Sequence, residues 1–179
     1  GACSSDHSGM SGLGSSTTIS IPSSATYNPT DVAFAQGMIP HHAQAIEMAD
    51  LALANTSNPD VLSLATQIKA AQVPEIEQLS GWLRDWGQTV PSAATGSMDH
   101  GASGTGGMMM DGMMSQTDMN RLEASTGTEF DRLWLDLMIQ HHEGAVKMSR
   151  SEVAGGKNSD AIASAEAITA SRRFFIRPK

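Results

Sequence analysis

The sequence predicts an all-α fold, an antiparallel four-helix bundle built from two duplicated helical hairpins. Three observations predict it. One phrase occurs twice at an interval of 100 residues: Met38-Ile39-Pro40-His41-His42 with Ala45-Ile46 and Met48, then Met138-Ile139-Gln140-His141-His142 with Ala145-Val146 and Met148. Asp31 and Phe34 are matched in the same register by Asp131 and Trp134, and self-similarity at a fixed interval marks a duplication. Apolar residues recur at helical spacing through four long segments. Aromatic residues make up only 4% of the chain while Ala, Gly, Ser and Met abound, which suits helices packed on small residues better than a β-sandwich.

The elements follow in order. Residues 1–29 are rich in Ser, Gly and Thr, lack a helical period, and read as a flexible leader. Gly1-Ala2-Cys3-Ser4-Ser5 looks like the tail of a bacterial lipobox, which marks Cys3 as a lipidation site and the leader as a tether once preceded by a signal segment. The expected location is therefore extracytoplasmic, as a cell-envelope lipoprotein or a secreted protein, with a membrane contacted only through the lipid anchor. Cys3 is the one cysteine, so there is no disulfide framework. The first helix is expected from Pro29-Thr30-Asp31, with Thr30 or Asp31 as N-cap, to about Ala54. Asn55 to Pro59 form a turn. The second helix runs from about Asp60 to Trp86, with Val61, Leu64, Ile68, Ala71, Ile76, Leu79 and Leu83 as its stripe. Pro40 and Pro74 lie inside these patterns and are expected to kink them. Residues 88–114 are a low-complexity linker rich in Met, Gly and His. Ser115 or Thr117 caps a short helix to about Ala124. Thr128 begins the third long helix, which ends near Gly155-Gly156, and Ser159 or Asp160 begins the last. A single bundle domain thus covers 30–179, with halves 30–87 and 115–179.

Composition excludes some functions. A net charge of −8 argues against nucleic acid as a partner, since that needs clustered Lys and Arg. No run is long and apolar enough to span a membrane. No nucleophile–base set or open zinc site is visible, so no catalytic residue is expected.

The repeat carries the chemistry. At about 100° per residue, Val32, Ala35, Ile39, His42, Ile46, Ala49 and Leu53 form one stripe, with Met38, His41, Ala45 and Met48 beside it. The second copy gives Leu135, Ile139, His142, Val146 and Val153, with Met138, His141, Ala145 and Met148 alongside. His42 and His142 thus interrupt core stripes, while His41 and His141 sit at the shoulder among methionines. A lone histidine in such a stripe is more often a satisfied core residue, and helical methionine is more often filler. Two equivalent pairs, each with Met three and four residues before, point instead to a metal. Thioethers are soft and favour Cu(I), while imidazole serves both copper states. Met38, His41, His42, Met138, His141 and His142 are the first-rank ligands, and Met48 and Met148 the second. Spacing leaves open whether the repeats share one site. Met98, His100, Met108, Met109, Met110, Met113 and Met114 make the linker a second candidate site, with a plain spacer equally compatible. A di-iron carboxylate site would need Glu-x-x-His motifs, and Met38 and Met138 stand where those glutamates belong. Because imidazole binds metal when neutral, affinity is expected to fall below about pH 6.5.

These features resemble the domain of unknown function 305 family. The resemblance covers about residues 30–87 and 115–170. It rests on the doubled Met-x-x-His-His pattern, the trailing Met48 and Met148, and Glu75-Ile76 followed by Trp82-Leu83. It implies a ferritin-like four-helix bundle, export from the cytoplasm and, in some members, copper binding linked to copper resistance. Two departures stand out: Leu79 replaces a methionine of similar sequences, and Ser171 to Lys179 does not continue the Gln, Glu-Ile and Met pattern. The expected function is an extracytoplasmic copper binder that sequesters copper, as Cu(I) or Cu(II), or passes it to a copper-transfer partner protein. The alternatives are a structural or interaction lipoprotein with core histidines, and a copper-dependent Cu(I) oxidase.

Overall fold

The computed structural model describes residues 21–93 and 111–176, with side chains through Arg172 in the last helix. Cys3, Met98, His100, Met108, Met109 and Met110 lie outside the described residues. The chain is all-α, a helical bundle of α1 (Pro29–Asn55), α2 (Pro59–Asp85), α3 (Gln116–Ala124), α4 (Gly127–Gly155) and α5 (Ser159–Ile176). No strand occurs among the described residues, and none of their helices is long and apolar enough to cross a membrane.

The cap of α1 is Asn28, two residues or more before the expected Thr30 or Asp31. Its side-chain oxygen accepts from the backbone N–H of Thr30 at 2.8 Å and of Asp31 at 3.1 Å, and Asp31 accepts in return from the Asn28 N–H at 2.5 Å. This is a capping box, and Pro29 fits the first turn, where its missing N–H costs nothing. Asn58-Pro59 starts α2 in a related way, with Asn58 Oδ1 accepting from the Asp60 N–H at 3.0 Å. Both helices continue through Pro40 and Pro74.

α1 packs on α2 and α4 on α5, and the two hairpins meet along α1 and α4, with α3 laid against that seam. Reciprocal aspartates tie the hairpins. Asp31, fully buried, accepts from the backbone N–H of Lys157 at 3.0 Å and Asn158 at 2.9 Å in the α4–α5 turn. Asp131 accepts from Thr56 Oγ1 at 2.5 Å and Asn58 Nδ2 at 2.9 Å in the α1–α2 turn. Each repeat helix therefore starts beside the other hairpin's turn, so α1 and α4 run antiparallel.

The core divides into two apolar clusters. One holds Met48, Met114, Met119, Leu122, Phe130, Trp134 and Met138; the other holds Val32, Phe34, Met38, Ile39, Leu79, Leu83 and Ile168, with Met148 against it. Trp134 Nε1 donates to the Met48 carbonyl at 2.7 Å, pinning α4 to α1. The stripe expected for α4 is displaced. Leu135, Ile139 and Val153 are 38–41% exposed, whereas Trp134, Leu137, Met138, His141, His142 and Ala145 are buried. Leu53 of α1 is likewise exposed. The cause is the close approach of the two repeat helices, which turns their shared methionine–histidine faces inward.

Residues 21–29 and 111–114, expected to belong to flexible segments, are held by specific contacts. Tyr27 stacks on Trp86 with ring centroids 4.7 Å apart and donates to the Trp86 carbonyl at 2.9 Å. Lys157 Nζ reaches the carbonyls of Ser23 and Ala25. At the other segment Gln44 grips Met114, accepting its N–H at 2.7 Å and donating to its carbonyl at 3.0 Å. Residues 111–112 cross α4 at Gly144, where a Cβ would run into the Asp111 carbonyl, and Gly112 has φ +80 against the same site. Glycine is required at both positions, at one for space and at the other for space and for its left-handed backbone.

Candidate metal centre

Consecutive histidines on a helix point about 100° apart, and the bundle uses both directions. His41 and His141 face each other across the α1–α4 seam with ring centroids 3.7 Å apart. This corrects their expected shoulder position: they are 0% and 1% exposed and lie at the centre. His42 and His142, 1% and 2% exposed, turn away, with ring centroids 6.3 Å from His41 and 6.4 Å from His141 respectively. The two repeats thus form one cluster of four imidazoles. It lies between the two apolar clusters, with Met38 and Met148 in one and Met48 and Met138 in the other. Antiparallel helices explain this crossing of partners: the leading methionine of each copy meets the trailing methionine of the other.

The outer rings have charged or polar company. Glu75 Oε2 of α2 is 2.6 Å from His42 Nε2 and 2.7 Å from Nη2 of Arg172 on α5. His142 Nδ1 lies 2.8 Å from the Met138 carbonyl. The central rings are less satisfied. Both nitrogens of His41 and Nε2 of His141 are buried without a hydrogen-bond partner, and the Asp111 backbone approaches His41 without reaching bonding geometry. Sequence spacing did not reveal Arg172 or the Asp111 backbone as neighbours of the site. Glu75 was visible only as part of the Glu75-Ile76 pair. The signal for Arg172 was its register: it stands 100 residues after the buried Gln72.

Burial dominates the electrostatics. Desolvation, with the neighbouring rings adding to it, holds His41 down at about 3, and desolvation followed by the Arg172 charge holds His142 at about 4. His42 and His141 are lowered for the same first reason, and Glu75 opposes the effect at His42. Glu75 itself is held below the usual carboxylate range: burial pushes it up, but the contacts with His42 and Arg172 outweigh that. All four rings are therefore neutral near pH 7 and can act as donors without losing a proton.

Among the described residues no group of three or more His, Cys, Asp or Glu side chains is arranged to hold an ion unaided. An ion held here would draw on the methionine thioethers or on ring rotation. The donor chemistry fits a soft ion: neutral imidazoles, with unused nitrogens on His41 and His141, flanked by four thioethers. Of the linker residues, Met114 is buried in the cluster with Met48 and Met138, and Met113 is partly buried beside it.

Several known structures share this fold. A DUF305 protein of Streptomyces coelicolor, described as a candidate secreted protein, is 28% identical with a TM-score of 0.71, covering 83% of this chain and 88% of its own. A DUF305 fragment from Deinococcus radiodurans is 31% identical with a TM-score of 0.70, over 84% and 92% of the two chains. CopM in its Cu(I)-bound form is 26% identical with a TM-score of 0.63, over 82% and 89%. CopM has also been solved with Cu(II) and with Ag. None of the curated protein sequences matches the chain. The sequence profile of DUF305, a domain of unknown function, matches residues 31–177, and the chain belongs to that family.

Proposed function

We propose that this chain is an extracytoplasmic copper-binding protein that sequesters copper or hands it to a partner protein. Met38, His41, His42, Met48, Met138, His141, His142 and Met148 are the proposed donors, with the four histidines as a single shared centre. The observation that carries the reading is the cluster of buried, neutral imidazoles between two methionine pairs, with unpartnered nitrogens on its central rings, His41 and His141. An unpaired buried ring costs roughly 1–3 kcal/mol of stability, a cost that ligation would offset. Similarity to CopM, solved with copper and silver, supports the same choice of metal. Similarity to a candidate secreted protein supports the location. A lipid anchor at Cys3 and a looser site on Met98, His100, Met108, Met109, Met110, Met113 and Met114 remain part of the proposal.

An anaerobic Cu(I) competition titration tests it, comparing the native chain with His41→Leu/His141→Leu. Leucine fills the space and removes two rings. The expected result is tight binding by the native chain, weakened at least a hundredfold in a variant of unchanged helicity. Equal binding by both would move the metal away from the repeats. Absence of binding in the native chain would make the histidines core residues of a structural protein.

A further inference from the structure

A buried cation stands beside the four rings. Arg172 is 3% exposed, its Nη2 pairs with Glu75 Oε2 at 2.7 Å, its Nη1 donates to Ser171 Oγ at 3.1 Å, and its Nε has no partner. Through Glu75 Oε2, which lies 2.6 Å from His42 Nε2, it stands one contact from the cluster, and its charge opposes protonation of all four rings. The duplication makes the asymmetry plain. The matching residue of the first hairpin is Gln72, equally buried but neutral, and position 175, the match of Glu75, is Phe. The centre therefore holds four neutral imidazoles, one carboxylate and one guanidinium, with a formal sum of zero.

We infer that Arg172 cancels the Glu75 charge at this centre and so withholds from a divalent ion the extra attraction that a lone carboxylate would give it over a monovalent soft ion such as Cu(I) or Ag(I). The inference rests on the copper reading above and deepens it by naming the residue that sets the balance between oxidation states. The work of bringing an ion toward a fixed charge is proportional to the ion's own charge. Whatever the local dielectric, an unpaired carboxylate would attract a divalent ion with twice the energy of a monovalent one at the same place. Thioethers reject hard divalent ions by softness; with Arg172 on Glu75, no net charge beside the rings offsets that preference or favours Cu(II).

The test compares competition titrations of the native chain, Arg172→Gln and Arg172→Lys with Ag(I) and, separately, with Cu(II). Glutamine is the residue the duplication already places at position 72. Arg172→Gln is expected to raise both affinities, and the Cu(II) factor should be about the square of the Ag(I) factor, a hundredfold against tenfold. Arg172→Lys keeps the charge and should leave the ratio of the two affinities within about threefold of native. Should Arg172→Gln fail to fold, Glu75→Gln/Arg172→Gln removes both charges together, and a native ratio is then expected. Equal factors for the two ions, no change in either, a lysine variant that behaves like the glutamine one, or a changed ratio in the double variant would each overturn the inference while leaving copper binding intact. A native chain that binds neither ion would remove the copper reading itself, and this inference with it.

Discussion

Lowering the pH from 7.5 to 5 should unfold the metal-free protein, and the four buried histidines set the size of the effect. Each ring has a folded-state pKa depressed from 6.5, to about 3 at His41 and about 4 at His142. Their contribution to stability is complete above pH 6.5. It is lost as pH falls from there toward the folded values, because the unfolded chain takes up protons that the core refuses. At pH 5 each histidine of the unfolded chain gains about 2 kcal/mol by protonating, so His41 and His142 alone cost the fold about 4 kcal/mol, and His141 and His42 add to this up to a ceiling of about 8 kcal/mol. A domain of this kind has about 5–15 kcal/mol in total. Urea denaturation followed by helical circular dichroism at pH 7.5, 6 and 5 measures it. A loss of about 3 kcal/mol is expected by pH 6, and most or all of the stability by pH 5. A change below about 2 kcal/mol across the whole range would refute the reasoning, since the rings would then be taking up protons in the native state. The affinity decline expected below pH 6.5 from the bare motif changes accordingly. Burial makes the folded rings resist protonation, so a bound metal would be released when the bundle opens.

Gly144→Ala places a Cβ into the Asp111 carbonyl; the overlap should cost about 1–3 kcal/mol, more than the roughly 1 kcal/mol that alanine gains within a helix. Thermal unfolding should show a net loss, with faster proteolysis at 111–114, and a variant more stable than native would show that this segment yields freely. Glu152, raised to about 8 by burial and by the facing Asp31, is protonated in the fold but ionised in the unfolded chain between pH 4.5 and 8. Its contribution therefore falls as pH rises through that window. Glu152→Gln should gain melting temperature relative to native at pH 8 and less at pH 5; an equal shift at both would exclude the shared burial of the two carboxyls.

The sequence by itself determined the helices and the chemistry. Apolar residues at helical spacing, Pro, Thr, Ser or Asp at the starts and glycines near the ends mark four long helices, and the repeat at 100 residues names the same methionines and histidines twice. Those are local properties: capping, periodicity and side-chain type act within a turn or two of chain. Only the tertiary structure decided which faces meet. Leu135 and Ile139 look like core by spacing yet are exposed, because α4 turns its His141 face toward α1, and the stripe that is buried depends on a partner helix far away in sequence. The same antiparallel crossing brings His41 onto His141 and pairs Met38 with Met148 in one cluster. Arg172 and Glu75, 97 residues apart, meet beside His42. Met114 joins the core and the 111–112 backbone crosses α4 because Gly144 leaves room for it and Gln44 bonds Met114. Burial, and with it the neutrality of the rings, comes from these long-range contacts, which spacing along one helix does not encode.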